Sequence, residues 1–271
     1  MDDDDAPIGR ILSRREVLAL LGGSGAALLA ACAPGALASP SPTTAAQQTL
    51  AAATSAAATT AASAATTLPS CIVRPAVTEG PYFVDEKLNR SDIRSDPTNG
   101  TVKPGAPLTL TFLVSRVSGS SCAALSGATV DIWHCDALGV YSDASDASFN
   151  TKGQKFLRGY QTTDASGKAQ FTTIYPGWYS GRAVHTHFKL RLFAGSTKSY
   201  EFTSQFFFDE AITTAVHAVS PYNTRGTRNT VNAADGIYNG LTAAQKSALT
   251  LQTTKTADGY GGIIDLGVNV A

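Results

Sequence analysis

The chain has 271 residues, with 21 basic against 21 acidic side chains and a formal net charge of zero at neutral pH. The Lys and Arg residues are scattered, and no basic block is interleaved with aromatics, so the composition excludes a nucleic-acid footprint. Four cysteines without a pair at metal-ligand spacing exclude a zinc site of the paired-cysteine kind.

Residues 1–31 read as an export signal. Arg14 and Arg15 stand directly before an apolar run from Val17 to Ala31, too short to span a bilayer comfortably but suited to a signal-peptide core. The string SRREVLAL resembles a twin-arginine signal, and Leu29-Ala30-Ala31-Cys32 resembles a bacterial lipobox. That resemblance implies cleavage before Cys32 and lipidation of its thiol. The mature protein is then expected outside the cytoplasm, held to the cell membrane only by a lipid anchor. Residues 32–70 are rich in Ala, Thr and Ser, carry no charge and show no apolar period, so they are expected to form a flexible tether. Pro40 and Pro42 argue against a long helix there.

Residues 71–271 are the expected folded domain, large enough for one substantial core. Leu108, Leu110, Phe112 and Val114 alternate with Thr109, Thr111 and Leu113, which predicts a strand. Further strands are expected at Ala128–Trp133, Leu157–Thr163, Ala169–Ile174, Thr186–Phe193 and Glu201–Phe207. Asp164-Ala165-Ser166-Gly167 reads as a hairpin turn between two of them. Helix is expected only at Asp209–Ala218 and at Thr242–Leu249, the latter capped by Thr242. The fold class is therefore mostly β: an antiparallel β-sandwich core with few short helices and long loops. Among the cysteines left after cleavage, Cys71 and Cys122 have turn-like surroundings whereas Cys135 ends an apolar strand, so Cys71 and Cys122 are the expected disulfide.

Chemistry concentrates at His185-Thr186-His187. Residues two apart on a strand face the same side, so both imidazoles can reach one metal ion. The pattern by itself also suits a zinc hydrolase using His185 and His187, or a plain strand surface. The neighbouring donors are phenols: Tyr175 and Tyr179 lie in the segment TIYPGWYSGRAVHTH at 173–187. Tyrosinate is a hard anionic donor, so two tyrosines with two histidines would select iron(III) over zinc(II).

Four elements carry a resemblance to a known family: Glu79-Gly80-Pro81-Tyr82, VDIWHCDALGVYSD at 130–143, the block from Tyr179 to His187, and Ser204-Gln205-Phe206-Phe207. Together they make the chain similar to the intradiol ring-cleavage dioxygenases, the family of protocatechuate 3,4-dioxygenase and catechol 1,2-dioxygenase. The later string SPYNTRGTRNTVNAADGIY at 220–238 resembles the secreted single-domain branch.

The resemblance implies one non-haem Fe(III) per chain held by Tyr141, Tyr179, His185 and His187, with Tyr141 and His185 equatorial and Tyr179 and His187 axial. It implies catechol-type substrates, O2 as the second substrate and cis,cis-muconate-type products. Only five residues separate Tyr179 from His185, fewer than in protocatechuate enzymes, so Tyr175 stands as an alternative to Tyr179. Tyr179 is preferred because it directly follows Pro176-Gly177-Trp178.

By the same resemblance Arg182 stabilises negative charge developing on the ring, Tyr179 accepts a substrate proton, and Gln205 lies near the substrate hydroxyl. Tyr82 and Trp178 are expected along the substrate pocket. His134 reads better as a hydrogen-bonded structural histidine than as a ligand, and His217 is expected at the surface. A lipid-anchored β-sandwich that binds a partner without catalysis is the competing reading; it explains export and sheet but leaves the tyrosine and histidine spacing as coincidence.

Overall fold

The computed structural model describes residues 72–119 and 121–270. The export signal, the tether, Cys32 and Cys71 lie outside them. In chain order the described strands are β1 (Pro107–Ser118), β2 (Ser121–Ala124), β3 (Thr129–Trp133), β4 (Ser145–Asp146), β5 (Phe149–Asn150), β6 (Arg158–Thr162), β7 (Lys168–Ile174), β8 (His185–Ala194), β9 (Thr197–Phe208), β10 (Thr250–Leu251), β11 (Thr253–Lys255) and β12 (Tyr260–Val268). Between β9 and β10 lie the helices α1 (Glu210–His217), α2 (Gly236–Asn239) and α3 (Ala243–Leu249).

Alternation does in β1 what its sequence predicts: Leu108, Leu110, Phe112 and Val114 are all buried. β1 is the centre of the first sheet, which runs β11-β12-β1-β2 with β7 also paired to β1. The second sheet runs β10-β9-β8-β3-β6. Leu110, Phe112 and Leu266 from the first meet Ile132, Phe188 and Phe206 from the second in one continuous core. The β-sandwich class is thus as expected, whereas the purely antiparallel arrangement is corrected. β12 runs parallel to β1, and β10 parallel to β9. The helical stretch after β9 supplies the long return that parallel pairing needs.

Two further expectations change. The 164–167 turn forms, with Gly167 N–H donating to Asp164 O at 2.9 Å. It is an arch between sheets rather than a hairpin, because β6 pairs with β3 and β7 with β1. Cys122 stands in strand β2 rather than in a turn; it is disulfide-bonded, while Cys135 is free and buried. The helices fall where the caps place them. Asp209 accepts from Ala211 N and Ile212 N ahead of α1, and Thr242 with Gln245 forms a capping box on α3.

Parity assigns the two faces of β8. Phe188 and Leu190 enter the core between the sheets, so His185, His187 and Lys189 point to the opposite face of the same sheet. That face is not left to water. Residues Val77 to Asp85 cross it as a strap: Gln205 Nε2 donates to Thr78 O at 2.7 Å, Lys189 pairs with Glu79, and the ring of Phe83 packs on Trp133 with centroids 4.8 Å apart. Residues 185–190 of β8 are consequently buried on both sides. The chain enters the sandwich beside its far end, since Val73 bridges in parallel to Gly267.

Candidate metal centre

Two turns bring the phenols to the histidines. After β3, Asp136 folds the chain back on itself: its backbone N–H donates to Val140 O, and its Oδ1 accepts from Leu138 N and Val140 N. This turn delivers Tyr141. The loop after β7 docks on the same turn, with Gly177 N–H donating to Asp136 O at 3.1 Å. A Cβ on Gly177 would come within 2.4 Å of Ala137 O, so only glycine permits the approach. Tyr179 follows two residues later and meets Tyr141 edge to face, with ring centroids 5.7 Å apart.

The four side chains converge in a buried space. His185 Nε2 lies 3.0 Å from His187 Nε2 and 3.2 Å from the Tyr179 hydroxyl. The rings of Tyr141 and His187 are 6.3 Å apart. His185 Nδ1 sits 2.6 Å from Ala183 O, a carbonyl that only accepts, so the imidazole proton is on Nδ1 and the Nε2 lone pair faces the cluster. The His187 ring is sandwiched against Trp133 at 5.0 Å and an interplanar angle of 7°.

Electrostatics leaves the cluster short of positive charge. Burial, reinforced by Arg182, pushes His185 well below the usual imidazole range; burial and then His185 do the same to His187. Burial lifts Tyr179 to about 12 and raises Tyr141 well above its ordinary value. The Tyr141 hydroxyl makes no hydrogen bond of good geometry, although Tyr179 is near enough to raise its pKa, and His187 Nδ1 also lacks a partner. Two neutral imidazoles with facing nitrogens, beside an unsatisfied buried hydroxyl, form an arrangement that a cation would stabilise. Among the described residues there is no group of three or more His, Cys, Asp or Glu able to hold a metal. The donors must then include the phenols, and an O2N2 set of this kind suits iron(III). The zinc reading lacks its third histidine or carboxylate.

Tyr175 is elsewhere. It is fully buried in the core, its hydroxyl 2.8 Å from Thr213 Oγ1 and its ring on Phe208. Of the two candidate phenols only Tyr179 joins the histidines. Tyr82 stacks on Tyr141 at 4.5 Å, and its hydroxyl donates to Asp146 Oδ2 at 2.5 Å. Trp178 packs instead into the main core with Arg225 above its ring at 4.9 Å. His134 is structural as expected, with Nδ1 2.7 Å from Cys135 O and Nε2 2.7 Å from Thr173 Oγ1. His217 is not at the open surface: it is half-buried, stacked on Tyr222 at 5.0 Å, and its Nε2 donates to Pro176 O at 3.0 Å. The helical pattern around it hides a docking contact made from outside the helix.

Arg182 and Gln205 are joined, Arg182 Nη2 donating to Gln205 Oε1 at 2.6 Å. Gln205 also satisfies the Thr78 carbonyl, so it bridges the strap and the arginine. The sequence reading missed Asp235, whose Oδ2 lies 2.8 Å from Arg182 Nε. Its only signal was its position ahead of Gly236-Ile237, suited to a helix cap. Glu79 pairs with Lys189, a contact for which the local sequence carries no signal.

Comparison with known proteins places the geometry in context. Residues 78–220 match the family model described as Dioxygenase. A solved structure, the intradiol ring-cleavage dioxygenase from Tetranychus urticae, is 31% identical, with a TM-score of 0.63 over 73% of this chain and 95% of that one. The dioxygenase domain of a dioxygenase carbohydrate-binding protein fusion from Streptomyces sp. SirexAA-E is 26% identical, with a TM-score of 0.50 over 74% of this chain and 100% of that one. Catechol 1,2-dioxygenase 2 of Acinetobacter lwoffii is 36% identical over 108 residues, which is 39% of this chain and 35% of the relative. The similarity thus spans well under half the length of that curated relative.

Proposed function

Since the chain belongs to the intradiol ring-cleavage dioxygenase family, we propose that it uses one non-haem iron(III) to cleave catechol-type rings with O2 between the two hydroxyl-bearing carbons, giving cis,cis-muconate-type products. The observation that carries this reading is the convergence of Tyr141, Tyr179, His185 and His187 in one buried, cation-seeking cluster. These four residues would hold the metal. Bound there, iron(III) would draw electron density from a catecholate ring and open it to dioxygen.

The protein supplies the remainder. As a metal-bound phenolate, Tyr179 would take a proton from a substrate hydroxyl, so no separate histidine base is needed. Arg182, fixed by Gln205 and Asp235, presents a preorganised positive charge to an anion developing on the ring. Tyr82 and Trp133 wall the cluster with aromatic surface and keep water from it.

The test is purification of the mature protein followed by metal analysis, a visible spectrum and oxygen uptake with catechol. One iron per chain, a tyrosinate-to-iron absorption band and muconate formation are expected. A colourless protein that contains zinc and consumes no oxygen would overturn the reading.

We also propose that the protein is exported and lipid-anchored through Cys32. Fractionation of cells carrying Cys32→Ser is expected to move it from the membrane to the soluble fraction with activity retained; unchanged membrane association excludes the anchor.

A further inference from the structure

Arg182 is held on two edges by groups that are themselves held. Its Nη2 donates to Gln205 Oε1, and Gln205 is pinned by its own bond to Thr78 O. Its Nε donates to Oδ2 of Asp235, which has no solvent exposure at all. Both oxygens of that carboxylate are fully engaged. Oδ2 also accepts from Ala183 N at 2.8 Å, and Oδ1 accepts from Ile237 N at 2.9 Å and Tyr238 N at 2.8 Å. Four donors converge on one anion, as a buried ionised carboxylate requires.

The field of Arg182 reaches all four members of the cluster. With Asp235 in contact, much of that field is cancelled at longer range. Of the other cations close by, Lys189 pairs with Glu79, while Arg158 donates to the neutral oxygens of Ser142 and Tyr82.

We propose, building on the ring-cleavage reading, that Asp235 is a positioning and specificity residue: it aims Arg182 at the reacting ring and cancels its field at longer range, so the site prefers catechols without an anionic ring substituent. A ring carboxylate entering the site would lose its water and meet a guanidinium whose charge is already matched, beside a carboxylate that repels it. Asparagine at 235 would remove the repelling charge and free that of Arg182. It could not reproduce the acceptor set, because its NH2 would face donors at one end or the other.

The test compares kcat/KM for catechol with that for 3,4-dihydroxybenzoate, a catechol carrying a carboxylate. The wild type is expected to favour catechol, and Asp235→Asn to shift the ratio toward the carboxylated ring on the order of tenfold, about what one charge-assisted hydrogen bond yields. If both substrates lose equally, Asp235 is only a helix cap and the proposal fails. It fails too if the wild type takes both rings equally well.

Should Asp235→Asn not fold, Arg182→Gln serves, because it leaves the carboxylate unmatched and is expected to move the ratio the opposite way; an unmoved ratio overturns the proposal. A wild type that turns over neither catechol defeats the ring-cleavage reading, not this one. Equilibrium dialysis of benzoate against phenol then carries the test, with Asp235→Asn expected to gain benzoate affinity relative to phenol. Unchanged relative affinity overturns it.

Discussion

Gly80 lies against the imidazole of His187: a Cβ built on Gly80 would stand 3.1 Å from His187 Cε1. Gly80 also has φ +73°, a conformation that costs an L-residue about 1–2 kcal/mol. The neighbouring Glu79–Lys189 pair keeps the strap from backing away. Gly80→Ala is therefore expected to lose that much stability and to tilt His187, reducing iron content per chain. Calorimetry with metal analysis checks this, and an unaltered iron content would show that the strap yields instead.

Tyr179 and Tyr175 make opposite predictions. Tyr179→Phe is expected to shift the visible band and to slow substrate binding, since the phenolate oxygen beside His185 is gone. Tyr175→Phe should leave the colour alone and cost about 1 kcal/mol of stability, the value of its hydrogen bond to Thr213. Spectra and melting curves of the two variants, side by side, decide which phenol serves the metal.

Arg182→Ala should still hold iron and bind catechol, because Tyr141, Tyr179, His185 and His187 remain. Turnover is expected to fall about a hundredfold, a typical loss when a preorganised charge is removed from a dry site. Single-turnover decay of the anaerobic catechol complex after mixing with oxygen is the measurement. An unchanged decay with weakened binding would make Arg182 a substrate anchor instead.

Acid should weaken the fold through His134. Burial pushes its pKa down to about 4, and both ring nitrogens are already in hydrogen bonds. An unfolded histidine titrates near 6.5, so between those values the unfolded chain binds the proton and the folded chain does not. The contribution is complete above about pH 6.5 and drains away as pH falls toward 4, about 3 kcal/mol in all. In the metal-free chain His185 and His187 act with the same sign. Asp131, raised to about 6 chiefly by burial, opposes them, because it is protonated in the fold before it would be in the open chain. Melting temperatures of metal-free protein from pH 7.5 to 4.5 should fall, and fall less in His134→Gln. Equal slopes would mean that His134 is not held neutral.

β1 and β8 were legible because their patterns are local. Alternating apolar residues mark β1, and two histidines two apart mark one face of β8. β12 was not legible: Gly261, Gly262 and Asp265 interrupt its apolar run, and it is held by parallel pairing to β1, across most of the domain. Tyr179 could be singled out from its loop, yet the bond that aims Arg182 comes from a residue 53 positions away, in a segment that reads as a cap. The arch at 164–167 failed for a related reason, since a turn sequence specifies a reversal but not which sheet each arm joins. Contacts across long separations are set by packing, which local patterns do not encode.

The bridge from Val73 to Gly267, with Gly267 N–H donating to Ile72 O at 2.8 Å, puts the entrance and exit of the sandwich at one spot. A short linker could close the domain into a ring, and the ring could be reopened at the exposed Gly195–Ser196 turn. Such a circular permutant would break no ladder between strands, and its new ends would lie at the far tip of β8 from His185. The domain is therefore wired so that it can hang from either end of its chain, or from neither, while its tyrosine and histidine cluster keeps its shape.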